Sequence, residues 1–320
     1  MSLPTVVFVD RATIPSHIHL PALPFEHQWV SYDETQPDQL LERVRDAEII
    51  ITNKVVLNAD VLSQLTSLRL VAVAATGVNN VDIDYCREHG IAVTNVQGYA
   101  TRSVPEHVIG MTFALRRNLM AYHNDIARGE WQRRHQFCFF THPIGDVAGS
   151  TIGIIGSGTL GRATAQLAKA VGMKVLFAER KGASSCRDGF LPFETVLRQA
   201  DVISLHCPLN EATHHLLTSH ELSMMKSTAI LINTGRGGLV DEKALVDALM
   251  SGAIAAAGVD VFTQEPADDS NSLLANNDLP NLLLTPHIAW GSDSAIQQLV
   301  HILIENIIVF HQGQIQNRIV

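Results

Sequence analysis

Short apolar runs alternate with helical patterns along nearly the whole chain, which is the pattern of parallel sheets covered by helices. In the first third the runs fall at residues 6–9, 48–52, 70–74 and 92–95, with helix-like segments at 37–46 and 81–89 between them. They predict one compact βα unit. In the middle the runs fall at residues 151–155, 174–179, 202–206, 229–233, 255–261 and 282–285. Six such strands, again separated by helical patterns, suit a dinucleotide-binding sheet. The expected class is α/β.

Between the two regions, residues 103–128 form a long amphipathic stretch with Ser103 as its expected N-cap and Pro105 and Glu106 in its first turn. Val104, Val108, Met111, Leu115 and Leu119 recur at helical spacing, and the loop beyond is rich in aromatics: Trp131, Phe137, Phe139 and Phe140. Two readings stand side by side, an ordinary buried helix and a dimer arm. Residues 292–310 read as a last helix whose terminal position points back to the first unit.

Length and composition narrow the function. The 320 residues suit about two domains of roughly 150 residues each. Lys and Arg number 23 against 32 Asp and Glu, a formal charge of −9, and no basic block is concentrated anywhere. Phosphate-backbone binding is therefore a poor expectation, and no nucleic-acid partner is predicted. The start lacks a basic, then long apolar leader, since Asp10 interrupts the first apolar run. No apolar stretch is expected to approach the roughly 18 residues of a membrane span. Cys86, Cys138, Cys186 and Cys207 lie far apart in a chain large enough to need no disulfides. These features point to a reduced, cytoplasmic protein without a membrane partner.

The strongest local signal is Gly156-Ser-Gly158-Thr159-Leu160-Gly161, directly after a strand pattern and directly before a helical one. Gly156 permits a tight turn, Gly158 lets a pyrophosphate approach the backbone, and Gly161 lets helix and strand pack closely. The next strand ends in Glu179, where a carboxylate would accept from both ribose hydroxyls and repel a 2′-phosphate. NAD is the expected cofactor. Arg180 and Lys181 follow at once, however, and such cations could hold the phosphate of NADP if Glu179 turned away.

A second constellation stands at the ends of successive late strands: Arg236, Glu265 and His287. An Arg can clamp a carboxylate bidentately, a His can move a proton near neutral pH, and a Glu beside it can orient it and favour its protonated form. Taken singly, each also has an ordinary structural reading: a surface ion pair, a solvated turn and a structural histidine.

These segments together resemble the D-isomer-specific 2-hydroxyacid dehydrogenases. The resemblance rests on the glycine run with Glu179, on His206-Cys-Pro-Leu-Asn-Glu-Ala-Thr213, on the segment from Met225 to Gly237, on Gly258-Val-Asp-Val-Phe-Thr-Gln-Glu-Pro266, and on Thr285-Pro-His-Ile-Ala-Trp290. Residues 75–82 and 93–101 resemble the family's substrate-domain segments. Within the family, the phrases Ala-Ala-Thr-Gly, Asn-Val-Gln-Gly-Tyr and Pro-His-Ile-Ala-Trp look most like glycerate dehydrogenases, also called hydroxypyruvate reductases.

The resemblance implies a Rossmann-type doubly wound parallel sheet domain, residues 100–288, inserted in a flavodoxin-like α/β substrate domain built from residues 1–99 and 289–320. It implies an active site in the cleft, with Arg236 and the backbone of Thr76, Gly77 and Val78 holding the substrate carboxylate. His287 would be the acid/base, protonating the alkoxide that develops as hydride reaches the carbonyl carbon, and Glu265 would stabilise the imidazolium. It places Asp260 near the nicotinamide amide and His206, Cys207 and Pro208 past the adenosine side. Thr101, Thr213, Thr234, Gly235, Ala289 and Trp290 complete the implied cofactor contacts, with Arg236 and His287 also facing the cofactor. Cys207 reads as a small wall residue rather than a nucleophile. His214 and His215 lack the spaced partners of a zinc site, so no metal is expected.

The expected activity is NADH-dependent reduction of hydroxypyruvate or glyoxylate to D-glycerate or glycolate by a homodimer. The competing class is an NAD-sensing, corepressor-like binding protein on the same fold. It would bind NADH without turnover.

Overall fold

The computed structural model describes residues 3–320. The chain divides into two compact units, Met1–Ala100 with Gly291–Val320, and Thr101–Trp290.

The first unit holds a parallel sheet of β1 (Thr5–Phe8), β2 (Gln28–Ser31), β3 (Ile49–Thr52), β4 (Leu70–Val73) and β5 (Ala92–Thr94), in the order β2-β1-β3-β4-β5. That is the flavodoxin-like order, with a switch of direction between β1 and β3. The central strands are buried on both faces, which is why they read as unbroken apolar runs. β2 is the strand that the hydrophobic pattern does not reveal. It lies at the sheet edge, its residues are half-buried or exposed, and pairing with β1 holds it there.

Asp293–His311 is a helix N-capped by Ser292, whose hydroxyl accepts from the Ala295 N–H at 3.3 Å. It packs on β4 and buries Ile296, Leu299, Val300, Leu303, Ile304 and Ile307 in the first unit. Beyond it, the chain pairs with β5 through Ile319 N–H to Val93 O at 2.8 Å. This helix corrects one expectation, because by length and composition it is apolar enough to cross a membrane. Its apolar stripe is occupied instead by the sheet, and its buried Asn306 donates to Asn95 O at 2.9 Å.

The second unit holds β6 (Thr151–Ile155), β7 (Lys174–Ala178), β8 (Phe190–Leu191), β9 (Val202–Leu205), β10 (Ile230–Asn233), β11 (Ala256–Val259) and β12 (Leu282–Leu284). All pairs are parallel, in the order β12-β11-β10-β9-β6-β7-β8. The sheet therefore has seven strands where the hydrophobic runs predict six. The extra one, β8, is two residues long and too short to show a run. The strand order reverses between β6 and β9, where open α/β sheets bind ligands at the carboxyl ends.

The expected continuous helix over residues 103–128 is broken. Ser103–Arg116 is one helix and Leu119–Ala127 another, separated at Asn118, whose φ of 51° is left-handed. Ser103 is the first helical residue rather than the cap, and its hydroxyl donates to Ala289 O at 2.6 Å. Val104, Val108, Met111 and Leu115 are buried, with the helix packed against β10, β11 and the helix Thr159–Ala170. Leu119, beyond the break, is exposed.

Candidate nucleotide and catalytic site

The turn after β6 can be built only with glycine at two of the three glycine positions of its motif. Gly156 has φ +100°, and a Cβ there would lie 2.5 Å from Cys207 N; a Cβ on Gly161 would lie 2.0 Å from Gly156 O. Gly158 differs, since a Cβ would meet nothing within 4 Å. It is the N-cap of the helix Thr159–Ala170, whose first helical bond runs from Arg162 N–H to Gly158 O. The N–H groups of Thr159, Leu160 and Gly161 thus have no acceptor within the helix, and with the helix dipole they suit a pyrophosphate. The residues present fit a dinucleotide here. Thr234 lends further support, because its Oγ1 is buried without a hydrogen-bond partner among the described residues, in the loop after β10. Next to it, Gly235 N–H donates to Asn233 Oδ1 at 3.1 Å.

Glu179 stands at the end of β7, as the motif requires, but not with free oxygens. Its Oε1 accepts from Arg180 N–H at 2.9 Å and Arg187 Nη2 at 2.9 Å, and its Oε2 from Arg187 N–H at 3.1 Å and Arg187 Nε at 2.7 Å. The Arg187 side chain and the backbone N–H groups of Arg180 and Arg187 hold this carboxyl down at about 2. Arg187 is the residue that sequence reading missed: it lies eight positions on, in a loop with no periodicity. Of the two cations singled out from sequence, Arg180 is exposed and supplies a backbone N–H, while Lys181 is committed to Glu221 at 2.8 Å.

His206 follows β9 and its N–H donates to Ile155 O at 2.7 Å, joining the two loops of the crevice. Its ring lies 2.8 Å from Ser204 Oγ, and burial lowers its pKa to about 4, so it is neutral at physiological pH. Burial pushes the neighbouring Cys207 thiol up to about 11, which leaves it a wall rather than a nucleophile. Pro208 O and Thr213 Oγ1 close the following turn at 2.7 Å.

The candidate acid/base corner assembles at the ends of β11 and β12. His287 Nδ1 lies 2.6 Å from Glu265 Oε2, although the two residues are 22 apart in sequence. Glu265 also accepts from Phe262 N–H at 3.0 Å through its other oxygen. His287 has φ 54°, a left-handed conformation that costs a non-glycine residue about 1–2 kcal/mol. Asp260 supports it: its carbonyl accepts from His287 N–H at 2.8 Å, and its wholly buried carboxylate accepts from Ile288 N–H and Ala289 N–H, both at 2.9 Å, and from the Thr285 hydroxyl. The Asp260 carboxylate is thus spent on the loop that carries His287. His107, on the helix Ser103–Arg116, adds a bond from Nε2 to Thr285 Oγ1 at 3.1 Å. Trp290 Nε1 donates to His287 O at 2.9 Å. Neither Asp260's bracing nor His107 is legible from spacing, because both depend on two strand ends, and for His107 a helix as well, meeting in space.

Arg236 lies in the loop after β10, with its Nη1 donating to Gly235 O at 2.7 Å and its carbonyl accepting from Asn233 Nδ2 at 2.9 Å. In the other unit, Thr76, Gly77 and Val78 form the loop after β4. Thr76 Oγ1 donates to Val96 O at 2.8 Å, and Asn95 Nδ2 donates to Thr76 O at 2.7 Å. Thr101 is the first residue of the second unit. Among the described residues no three His, Cys, Asp or Glu side chains gather as a metal would need.

Comparison with known proteins shows the family. The NAD-binding domain of the D-isomer specific 2-hydroxyacid dehydrogenases matches residues 109–289. The glycerate dehydrogenase of Methylorubrum extorquens is 47% identical over 313 residues, covering 98% of each chain. The hydroxypyruvate reductase of Blautia hydrogenotrophica is 35% identical over 292 residues, covering 89% of each. Among solved structures, D-lactate dehydrogenase from Aquifex aeolicus, complexed with NAD and lactic acid, superposes with a TM-score of 0.80 at 26% identity over 96% of each chain.

Proposed function

The chain belongs to the D-isomer-specific 2-hydroxyacid dehydrogenases, NAD-dependent oxidoreductases, and on that premise we propose that it uses NADH to reduce hydroxypyruvate, or glyoxylate, to D-glycerate, or glycolate. The observation that carries the proposal is the His287–Glu265 pair, set at strand carboxyl ends of the same sheet that bears the glycine cradle. The relatives named glycerate dehydrogenase and hydroxypyruvate reductase supply the substrate class.

Bound nicotinamide supplies the hydride. His287 donates a proton from Nε2 to the oxygen of the carbonyl being reduced, and Glu265 keeps Nδ1 occupied so that Nε2 is the nitrogen presented. Arg236 holds the substrate carboxylate with its guanidinium, a planar fork matched to that group. In the reverse direction His287 takes the hydroxyl proton.

The protein acts as a homodimer in this reading. Phe113, Leu119, Met120, Ile126, Trp131, Phe137, Phe140 and Ile144 are all exposed, and Phe137 reaches 93%. Large apolar side chains concentrated on one short segment mark an association surface.

The experiment is an initial-rate assay of NADH oxidation with hydroxypyruvate, glyoxylate, pyruvate and 2-oxoglutarate. Fastest turnover with hydroxypyruvate is expected. NADH binding without turnover on any of the four would favour the sensor instead.

A further inference from the structure

The ribose-selecting corner of the nucleotide site carries a cation where the motif alone implies a bare carboxylate. Arg187 grips Glu179 through Nε and Nη2, and the backbone N–H groups of Arg180 and Arg187 take further places on the same two oxygens. A carboxylate offers about four acceptor sites. All four are filled, so a ribose diol can reach Glu179 only by displacing Arg187.

Exposure decides which group an arriving ligand meets. The Glu179 side chain is 7% exposed and that of Arg187 is 55% exposed. The outer surface of the pair is therefore guanidinium. Of its five N–H donors two are used on Glu179, which leaves about three for an oxyanion. The guanidinium carbon sits 3.9 Å over the centroid of the Phe190 ring, which fixes its plane from the other side. Phe190 itself is held as the first residue of β8, paired with Phe177 of β7. The ring, strand and carboxylate together hold one arginine in place at the carboxyl end of β7.

We propose that Arg187 is a specificity-determining residue that equips this chain to accept the 2′-phosphate of NADP as well as the free ribose of NAD. The pair has no net charge, so the repulsion that an isolated Glu179 would exert on a 2′-phosphate is cancelled, and the remaining guanidinium donors receive that phosphate bidentately. For NAD, the same arginine is a competitor for the oxygens that the diol needs. Its removal shifts selectivity toward NAD from both directions. The inference rests on the nucleotide-site reading above.

The test uses the whole protein and two adenosine probes that need no turnover, 2′,5′-ADP and 5′-AMP, with Kd measured by calorimetry for the parent, Arg187→Ala and Arg187→Lys. The parent should bind 2′,5′-ADP at least as tightly as 5′-AMP. Arg187→Ala should weaken 2′,5′-ADP tenfold or more while 5′-AMP binds as well or better, and Arg187→Lys should fall between, having charge without the fork. NADH and NADPH titrated by fluorescence should follow the same order. A ratio of the two dissociation constants that stays within twofold of the parent in Arg187→Ala overturns the role of Arg187 and leaves the nucleotide site standing. Failure of the parent to bind either probe or either dinucleotide overturns the nucleotide-site reading and this inference with it.

Discussion

His287 Nδ1 and Glu265 Oε2 lie 2.6 Å apart, yet they leave the sheet from the ends of different strands. The pair is made by the fold and by no local segment. If His287 is the proton donor, His287→Ala should lower kcat by about 10²–10⁴, the usual contribution of a positioned acid/base, with NADH affinity unchanged by fluorescence titration. Glu265→Gln keeps a polar partner for Nδ1 but removes the charge opposite the imidazolium. A hydrogen bond to a charged group contributes roughly 1.5–3 kcal/mol, so kcat should fall about 10- to 100-fold. Near-parental rates in either variant would remove these roles.

Arg236→Ala should cost roughly 2–5 kcal/mol in kcat/KM for hydroxypyruvate, as for a truncated charge pair. Arg236→Lys should recover only part, since a lysine lacks the planar fork. The steady-state kcat/KM of both variants, with NADH held saturating, checks this. An unchanged value would show that another group holds the substrate carboxylate.

Much of this corner is legible in the sequence, and the reasons are physical. The glycine run announces itself because Gly156 and Gly161 stand where a Cβ would strike backbone, and no packing rearrangement replaces that requirement. Strands buried on both faces announce themselves as apolar runs. β2 and β8 do not, because one is a half-exposed edge and the other is two residues long. The break at Asn118 is equally silent: the apolar spacing continues through it to Leu119, and only the left-handed φ ends the helix. Arg187 is invisible for a different reason. Its partner is fixed by how the loop after β7 folds back, which no periodicity encodes.

Asp260→Ala should destabilise the second unit and damage catalysis together. It strands the buried Ala289 N–H, at about 1–3 kcal/mol for a buried group left unpaired, removes the acceptor of the Ile288 N–H, and frees a loop whose His287 holds a left-handed φ. The expected result is a lower Tm and a kcat loss larger than any change in the Kd of NADH. Loss of stability with kcat intact would limit Asp260 to packing.

Glu221 gives a prediction in acid. Burial raises its pKa, but the bonds from Lys181 and Thr218 outweigh this and set it at about 2, against an ordinary value of 4.5. A carboxyl lowered in the folded state contributes stability above its unfolded pKa and loses it as pH falls toward the folded value. The contribution of Glu221 should therefore be whole above about 4.5 and disappear between there and about 2. Glu221→Gln should lower Tm at pH 7, and the gap between variant and parent should narrow steadily as the pH is taken below 4.5. A gap that is constant with pH would contradict the assignment.

Phe137→Asp with Phe140→Asp should convert the proposed dimer to monomer in sedimentation velocity, with Tm little changed because both rings are exposed within the chain. A parent protein that already sediments as a monomer would dispose of the dimer reading.

The helix Asp293–His311 lies in the unit begun by the first hundred residues, and Ile319 closes onto β5. Synthesis runs from the other end. The N-terminal sheet must therefore wait on the ribosome with its apolar face uncovered while the whole inserted unit is made, and that unit can fold before the segment that finishes its predecessor exists. A stop codon placed within the helix Asp293–His311 would leave the dinucleotide unit whole and the sheet made before it without its cover.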